Sequence, residues 1–325
     1  MKNRLFDTST TDPALNLAVE ETLLLDGAAG PALFLWQNAH TVVIGRGQNA
    51  WKECRSQLLE EEGGTLVRRT TGGGAVYHDL GNLNFSFVMP RKQYDVARQL
   101  NVIRRAAASF GIQTEASGRN DIMISGSGAK FSGNAFRLTQ EAALHHGTIL
   151  FDVDMQKLGR YLAPSPEKLK AKGVESMRSR VGNLKELAPH MTIPTLKEAL
   201  WAAYREEYGP AETLNWQETL DQQQIAALEA RNRSWDWVYG RTPRFDITLY
   251  NRFDWGQVEM LLSLKQAHVE EAQVYSDAND PELAARLERA LTGTAFTPQA
   301  LSSRLAEAVD PEDREVGQWL AGQQF

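Results

Sequence analysis

Cysteine is nearly missing from this chain: Cys54 is the single one in 325 residues. One thiol cannot close an intramolecular disulfide, so a reducing compartment is expected. There is no run of about eighteen apolar residues, so no transmembrane helix is expected. The opening stretch, MKNRLFDTSTTDPALNLAVEE, lacks an uninterrupted apolar core and carries acids early. A secretory leader is therefore not expected, and the cytoplasm is the default location. An excess of basic charge is missing as well. The formal charge is −6, which speaks against a general nucleic-acid binder but leaves room for a local basic site. Residues 247–325 hold 6 basic and 13 acidic side chains, a net −7, so residues 1–246 carry +1. The body of the chain is close to neutral and can accommodate an anionic ligand.

What is present reads as an α+β protein. Asp12-Pro13 has the form of an N-cap followed by proline at the first helical position, opening a helix through ALNLAVEETLLL to near Gly27. LFLW and TVVIG suggest a strand pair joined across QNAH, and WKECRSQLLEEEGG a short helix stopped by glycines. TLVRR is a strand leading into a glycine-rich turn, and LNFSFVM alternates as a half-buried strand should. YDVARQLNVIRRAAASFG is the strongest helix, closed by Gly111. Strands are expected at DIMIS, AKFSGNAF and LHHGTILF, and helices over 155–162 and 195–208. NWQETLDQQQIAALEARNRSWDW is helical in part. YGRTPRFD, Tyr239 to Asp246, reads as a linker. Beyond it two or three strands, VEMLLSLK and VEEAQVYSD among them, precede two amphipathic helices. The expected division is a body of residues 1–243 and a small α+β appendage of residues 247–325.

The segment RRTTGGGAVYHDLGNLNFSF, from Arg68 to Phe87, carries the chemistry. Glycines without Cβ let a backbone approach a ligand closely and aim successive N–H groups at an anion. Strand alternation allows one of Arg68 and Arg69 to reach such a ligand and leaves the other a structural ion pair. Thr70 and Thr71 add hydroxyls. The run is not a P-loop, since no Gly-Lys-Ser/Thr follows, and it does not fit Gly-x-Gly-x-x-Gly. Taken alone it also reads as a hairpin turn with solvated arginines. Downstream, GRNDIMISGSGAKFSGNAF sets Lys130 among small residues. Gly128 and Gly133 would leave its ammonium unobstructed, although an exposed hairpin lysine is the other reading.

Together RRTTGGGAVYHDLGN, GRNDI, AKFSGNAFR and HHGTILF resemble the hallmark segments of lipoate–protein ligase A, within the biotin/lipoate ligase superfamily. LFLWQNAHTVVIGRGQNAWKEC and LKAKGVESMRSRVGNL are similar too, so the resemblance spans nearly the whole chain. It implies the ligase-like fold, a catalytic domain of mixed and antiparallel sheets with flanking helices, plus a small C-terminal accessory domain. It also implies activation of lipoate by ATP and Mg²⁺ to lipoyl-AMP. Transfer to one lysine of a lipoyl domain of 2-oxoacid dehydrogenase complexes, or of the glycine-cleavage H protein, would follow. No nucleic acid, membrane or transition metal enters that scheme.

By motif position the resemblance makes Arg69 the arginine of the nucleotide and lipoate site. Gly74, Ala75, Val76 and Tyr77 become the nucleotide-contacting run, and Lys130 the lysine touching both carboxylate and phosphate. Asp121 is the acid suited to Mg²⁺ or to the phosphate region, although a turn-capping role is its other reading. Thr71, Gly73, His78, Asn82, Lys172 and Arg178 complete the candidate set. The basic stretch Lys168 to Asn183, with Gly173 as hinge, resembles an adenylate-covering loop. Trp36, Val43, Val76, Phe85 and Phe87 are candidates for an apolar acyl channel. Of His145 and His146 only one can face the site. With no zinc-like cysteine spacing, His78, His145 and His146 are expected to pack or hydrogen-bond.

Three rivals remain: an octanoyl- or lipoyltransferase, which would need a cysteine nucleophile near or after Lys130; a biotin ligase; and a non-catalytic lipoyl-binding or regulatory protein. Cys54 precedes the glycine run, and a buried structural thiol is expected there.

Overall fold

The computed structural model describes residues 2–117, 121–162, 181–240, 246–276, 278, 280, 282–306 and 308–324. Lys172, Gly173 and Arg178 of the basic stretch, and residues 241–245 of the expected linker, lie outside them. The chain divides into two compact units, Met1–Arg46 with Gly63–Arg233, and Gly47–Glu62 with Ser234–Phe325.

The first unit contains β1 (Asn3–Asp7), β2 (Ala32–Trp36), β3 (Thr41–Ile44), β4 (Thr65–Arg68), β5 (Val76–His78), β6 (Asn82–Pro90), β7 (Thr114–Ser117), β8 (Asp121–Ile124), β9 (Lys130–Leu138), β10 (Ala142–Leu150) and β11 (Ala211–Thr213). Eight of them form one mixed sheet in the order β11-β1-β2-β6-β10-β9-β8-β7. β4-β3-β5 form a separate small sheet, with β3 parallel to β4 and antiparallel to β5. This is the expected α+β architecture. The expected pairing of β2 with β3 does not occur. β2 is buried along its whole length, and its two edges are taken by β1 and β6. No edge is left for β3, which starts a second sheet.

Helices cover both faces of the large sheet. On one face Leu83, Phe85, Phe87 and Met89 share a core with Val102 and Ile103 of the helix Val96–Ala108 and with Leu196 and Leu200 of the helix Ile193–Tyr208. Burying each such side chain contributes about 1.5–3 kcal/mol. On the other face the helix Pro13–Leu25 packs Leu17, Ala18 and Leu24 with Phe34, Trp36, Val88 and Leu144. Asp12 caps this helix as the sequence suggests, accepting from the N–H groups of Ala14 and Leu15 at 2.9 and 3.3 Å. The strand alternation of β6 therefore gives two buried faces, one apolar and one carrying Asn82, Asn84 and Ser86.

In the second unit the expected short helix is two, Ala50–Glu53 and Ser56–Glu61. Trp51 meets the rings of Tyr239 at 5.3 Å and Phe296 at 5.0 Å, while the Tyr239 hydroxyl donates to Glu60 at 2.9 Å. The aromatic contacts thus tie residues 47–62 to the distant C-terminal part of the sequence. Three antiparallel strands follow, β12 (Asp246–Phe253), β13 (Gly256–Lys265) and β14 (His268–Ser276). The helices Leu283–Leu291, Pro298–Ala306 and Pro311–Ala321 complete the unit. The last of these was not foreseen, although Asp310-Pro311 repeats the helix-opening pattern read at Asp12-Pro13. Among the described residues no helix is long and apolar enough to cross a membrane.

Candidate functional site

The small sheet aims the glycine run. β4 ends at Arg68, and the Arg69 N–H donates to the Ile44 carbonyl at 3.0 Å. The Arg46 N–H then donates to the Thr71 carbonyl at 2.8 Å. The turn is locked to the end of β3 by these bonds. Gly73 has φ of +91°, the left-handed region that favours glycine.

Arg68 and Arg69 separate as alternation requires. Arg68 is wholly buried and donates to the carbonyls of Gly45 and Arg46, at 3.0 and 3.1 Å. Arg69 reaches the cavity described below, yet its guanidinium is engaged by the turn itself. It donates to Val43, Gly72 and Gly74 carbonyls and to the Thr71 hydroxyl, over 2.6 to 3.2 Å. Burial pulls its pKa down to about 10, with Glu20 acting in the opposite direction. Charge stays on the guanidinium at neutral pH, so Arg69 holds the turn as a cation.

Lys130 reaches the same place through a β-bulge. Asp121 pairs with Gly133 and Ile122 with Ser132, but Met123 pairs with Lys130. The register slips by one residue there, leaving Phe131 and Ser132 both buried. Directly opposed residues share a face, so the slip moves Lys130 from the Ile124 side to the side of Asp121. Its Nζ lies 2.6 Å from Asp121 Oδ1. Gly133 gives it room, since a Cβ there would sit 2.9 Å from Nζ.

These parts enclose a cavity of about 240 Å³. Its more open side holds Lys130 and Asp121, with side chains 34% and 40% exposed. Gly73, Gly74 and Ala75 of the turn line it as well. Its floor holds Leu17, Trp36, Val43, Val76, His78 and Asn84. The last two are 3% and 2% exposed. A polar mouth that holds a lysine, above a mostly apolar floor, suits an acid with an apolar tail.

A proton-ordered chain runs beneath the cavity. Arg69 Nε donates to Thr71 Oγ1 at 3.0 Å, Thr71 Oγ1 lies 2.8 Å from His146 Nε2, and His146 Nδ1 lies 2.7 Å from Glu20 Oε1. Glu20 also accepts from the Ser86 hydroxyl at 2.5 Å, and Ser86 accepts from Trp36 Nε1 at 2.9 Å. Where the imidazole is neutral and Nδ1–H faces the Glu20 carboxylate, Nε2 is the acceptor of the Thr71 hydroxyl. Glu20 is 1% exposed and terminates the chain as its acceptor. Glu20→Ala is expected to leave the Ser86 hydroxyl and His146 Nδ1 without their Glu20 partner and to lower stability by about 1–3 kcal/mol, read as a drop in thermal midpoint. Glu20→Gln keeps an acceptor oxygen and should recover most of it. Equal midpoints for Glu20→Ala and the parent would count against the chain.

Arg69, Gly73, Gly74, Ala75, Val76, His78, Asp121 and Lys130 of the sequence candidates meet around this cavity. Thr71 stands behind it, bonded to His146 and Arg69. Tyr77 turns the other way on β5, against Tyr161 and His40. Asn82 is buried on β6 and donates to Asn84 at 2.9 Å. Lys172 and Arg178 fall outside the described residues.

Of the channel candidates, Trp36, Val43 and Val76 line the cavity, whereas Phe85 and Phe87 belong to the opposite core. The histidine pair divides as alternation demands. His146 lines the cavity, and His145 is buried with Gln99 at 2.8 Å and Asn134 at 2.9 Å. Among the described residues no three His, Cys, Asp or Glu side chains are grouped to hold a metal. Sequence reasoning missed Glu20 and Asn84. Asn16 and Glu20, four apart in a helix rich in apolar residues, were the available signal for a polar stripe facing inward.

Residues 12–205 match the family model of the lipoyl protein ligase A/B catalytic domain. Residues 242–314 match that of the bacterial lipoate protein ligase C-terminus. Among solved structures, P. falciparum LipL1 in complex with lipoate is 26% identical, with 99% of this chain and 100% of that one covered and a TM-score of 0.65. The bipartite lipoate protein ligase of Thermoplasma acidophilum, described with its E2 lipoyl domain, is 26% identical over 75% of this chain and 99% of its own, with a TM-score of 0.66. A lipoate-protein ligase A bound with ATP is 25% identical over 74% and 100%, with a TM-score of 0.63.

Proposed function

This chain belongs to the family of lipoyl protein ligase A/B catalytic domains, and on that premise we propose that it is an ATP-dependent lipoate–protein ligase. One observation carries the reading: Lys130 and the glycine turn converge on a single cavity with a polar mouth and a largely apolar floor. The lipoate carboxylate attacks the α-phosphorus of ATP, forming lipoyl-AMP and releasing pyrophosphate. A lysine amine of an acceptor lipoyl domain, or of a glycine-cleavage H protein, then attacks the lipoyl carbonyl. An amide forms and AMP leaves.

Both steps gather negative charge on oxygen. Lys130 is the cation for that charge, and the backbone N–H groups of Gly73, Gly74 and Ala75 are the fixed dipoles beside it. Arg69 keeps the turn in shape through its carbonyl bonds, and Thr71 anchors the turn to the His146–Glu20 chain. Mg²⁺ ordinarily binds one or two carboxylates plus substrate phosphates. Asp121 is the carboxylate at the mouth and would hold it with the nucleotide, the ion shielding phosphate charge. In the structure Asp121 pairs with Lys130.

Lipoate-dependent exchange of pyrophosphate into ATP, followed by a mass shift on a purified lipoyl domain, tests the reading. Absence of both in folded protein would refute it. A thioester-forming transferase is disfavoured by Cys54. It lies in the second unit, is wholly buried and does not line the cavity. Burial, with Glu60 adding to it, pushes its thiol up to about 12, so no thiolate is available at neutral pH. Cys54→Ser is expected to transfer lipoyl groups at the parent's rate, with a stability loss of about 1–3 kcal/mol for the buried hydroxyl. Lost transfer in a folded variant, with an acyl-thioester trapped on the parent, would favour the transferase.

A further inference from the structure

Two side chains that line the cavity carry buried hydrogen-bond donors with no partner among the described residues. The first is Nε2 of His78. Asn16 Nδ2 donates to the carbonyls of Thr10 and Gln37, at 3.2 and 2.9 Å, which fixes the orientation of that amide. The same nitrogen, sharing its two hydrogens among three acceptors, faces Asn38 Oδ1 at 3.1 Å. Asn38 must therefore present its Nδ2 to His78 Nδ1, at 3.2 Å. Nδ1 is the acceptor, so the ring proton sits on Nε2. Burial first, then Arg69 and His146, pull this imidazole down to about 3, which keeps it neutral with that one proton.

The second donor is Asn84 Nδ2. Asn82 donates to Asn84 Oδ1 at 2.9 Å, leaving the amide nitrogen over. Neither His78 Nε2 nor Asn84 Nδ2 has a partner among the described residues, and both atoms are buried. Asn84 stands directly opposite Trp36 in the β2–β6 register. The Trp36 ring meets His78 edge-on at 6.3 Å. His78, Asn84 and Trp36 are thus neighbours in the lining of the cavity.

An unpaired buried donor costs free energy that an acceptor on the ligand would recover. A saturated chain end offers no acceptor. Sulfur offers weak-acceptor lone pairs and a polarisable surface that favours aromatic contact. We infer that His78 and Asn84 are specificity-determining residues that select an acyl acid ending in a sulfur ring over a hydrocarbon-ended acid of similar length and shape. This deepens the proposed function and rests on the cavity being its acyl site. No bond is made or broken at this end; the two N–H groups act by recognition alone.

The test uses three acids: lipoate, octanoate, and 5-cyclopentylpentanoate, in which two methylenes replace the sulfurs. Each is titrated calorimetrically into the full-length protein and assayed for acid-dependent pyrophosphate release. The parent should favour lipoate over either hydrocarbon acid by about tenfold, the equivalent of one recovered donor. His78→Leu and Asn84→Leu should each remove most of that preference while still taking octanoate. Asn84→Ala replaces Asn84→Leu should the bulkier side chain prevent folding. Equal binding of lipoate and the cyclopentyl acid by the parent would overturn the inference. So would an unchanged preference in a folded variant, the result expected if a retained water serves both donors. If no acid drives pyrophosphate release, the ligase reading fails, and the calorimetric preference still decides this one.

Discussion

Replacing Lys130 by alanine is expected to slow lipoate-dependent pyrophosphate exchange by about 10²–10³-fold, the usual effect of removing one donor from developing negative charge. The fold should survive. The Lys130–Asp121 pair is partly exposed on both sides, and such pairs contribute little to stability. Lys130→Arg should not restore the rate. The ammonium fits against Gly133, where even a Cβ would come within 2.9 Å, and a planar guanidinium is wider and differently shaped. Circular dichroism and exchange assays on the same preparations separate folding from chemistry. Exchange near the parent's rate in folded Lys130→Ala would remove Lys130 from the reaction.

Gly45→Ala is expected to produce the second large loss, about 10²-fold in the same assay, without any change of charge. A Cβ on Gly45 would lie 2.2 Å from the Gly73 carbonyl oxygen and 3.3 Å from Arg69 Nη2. The oxygen belongs to backbone, so relief requires the turn to shift by roughly an ångström. Displacements of that size at a reacting centre cost about 10²-fold. Gly47→Ala is the matched control, because a Cβ there meets nothing within 4 Å. It should retain the parent's rate. Comparable activity in Gly45→Ala and Gly47→Ala would mean that the position of the glycine turn does not matter to activation.

Several elements were legible because their signals are local. Asp12-Pro13 opens a helix through cap and proline geometry acting within a few residues. The glycine run leaves β4 as a turn because only its own backbone must be permissive. Opposite fates for His145 and His146, and for Arg68 and Arg69, follow from the two-residue period of a strand. The alternation of Asn82, Asn84 and Ser86 with Leu83, Phe85 and Phe87 was equally plain. It did not reveal that the polar face is the buried wall of a cavity. That depends on the helix Pro13–Leu25 covering it, with Glu20 accepting from Ser86. Strand alternation makes Phe85 and Phe87 candidates for an acyl channel or for core, and their face packs as core against the helices Val96–Ala108 and Ile193–Tyr208.

By itself the sequence determined the α+β class, the helix starts, the strand periods and the ordered motifs that mark the family. Each depends on residues near one another along the chain. Only the tertiary structure decided which side of β9 Lys130 occupies. One extra residue in the β8–β9 pairing reverses its facing, and a bulge reflects the fit of two strands rather than the preference of either. The grouping of residues 47–62 with residues 234–325 was decided the same way. Trp51 finds its aromatic partners 188 and 245 residues along the chain, at Tyr239 and Phe296. Burial of apolar surface is indifferent to sequence separation, so no local pattern could have announced it.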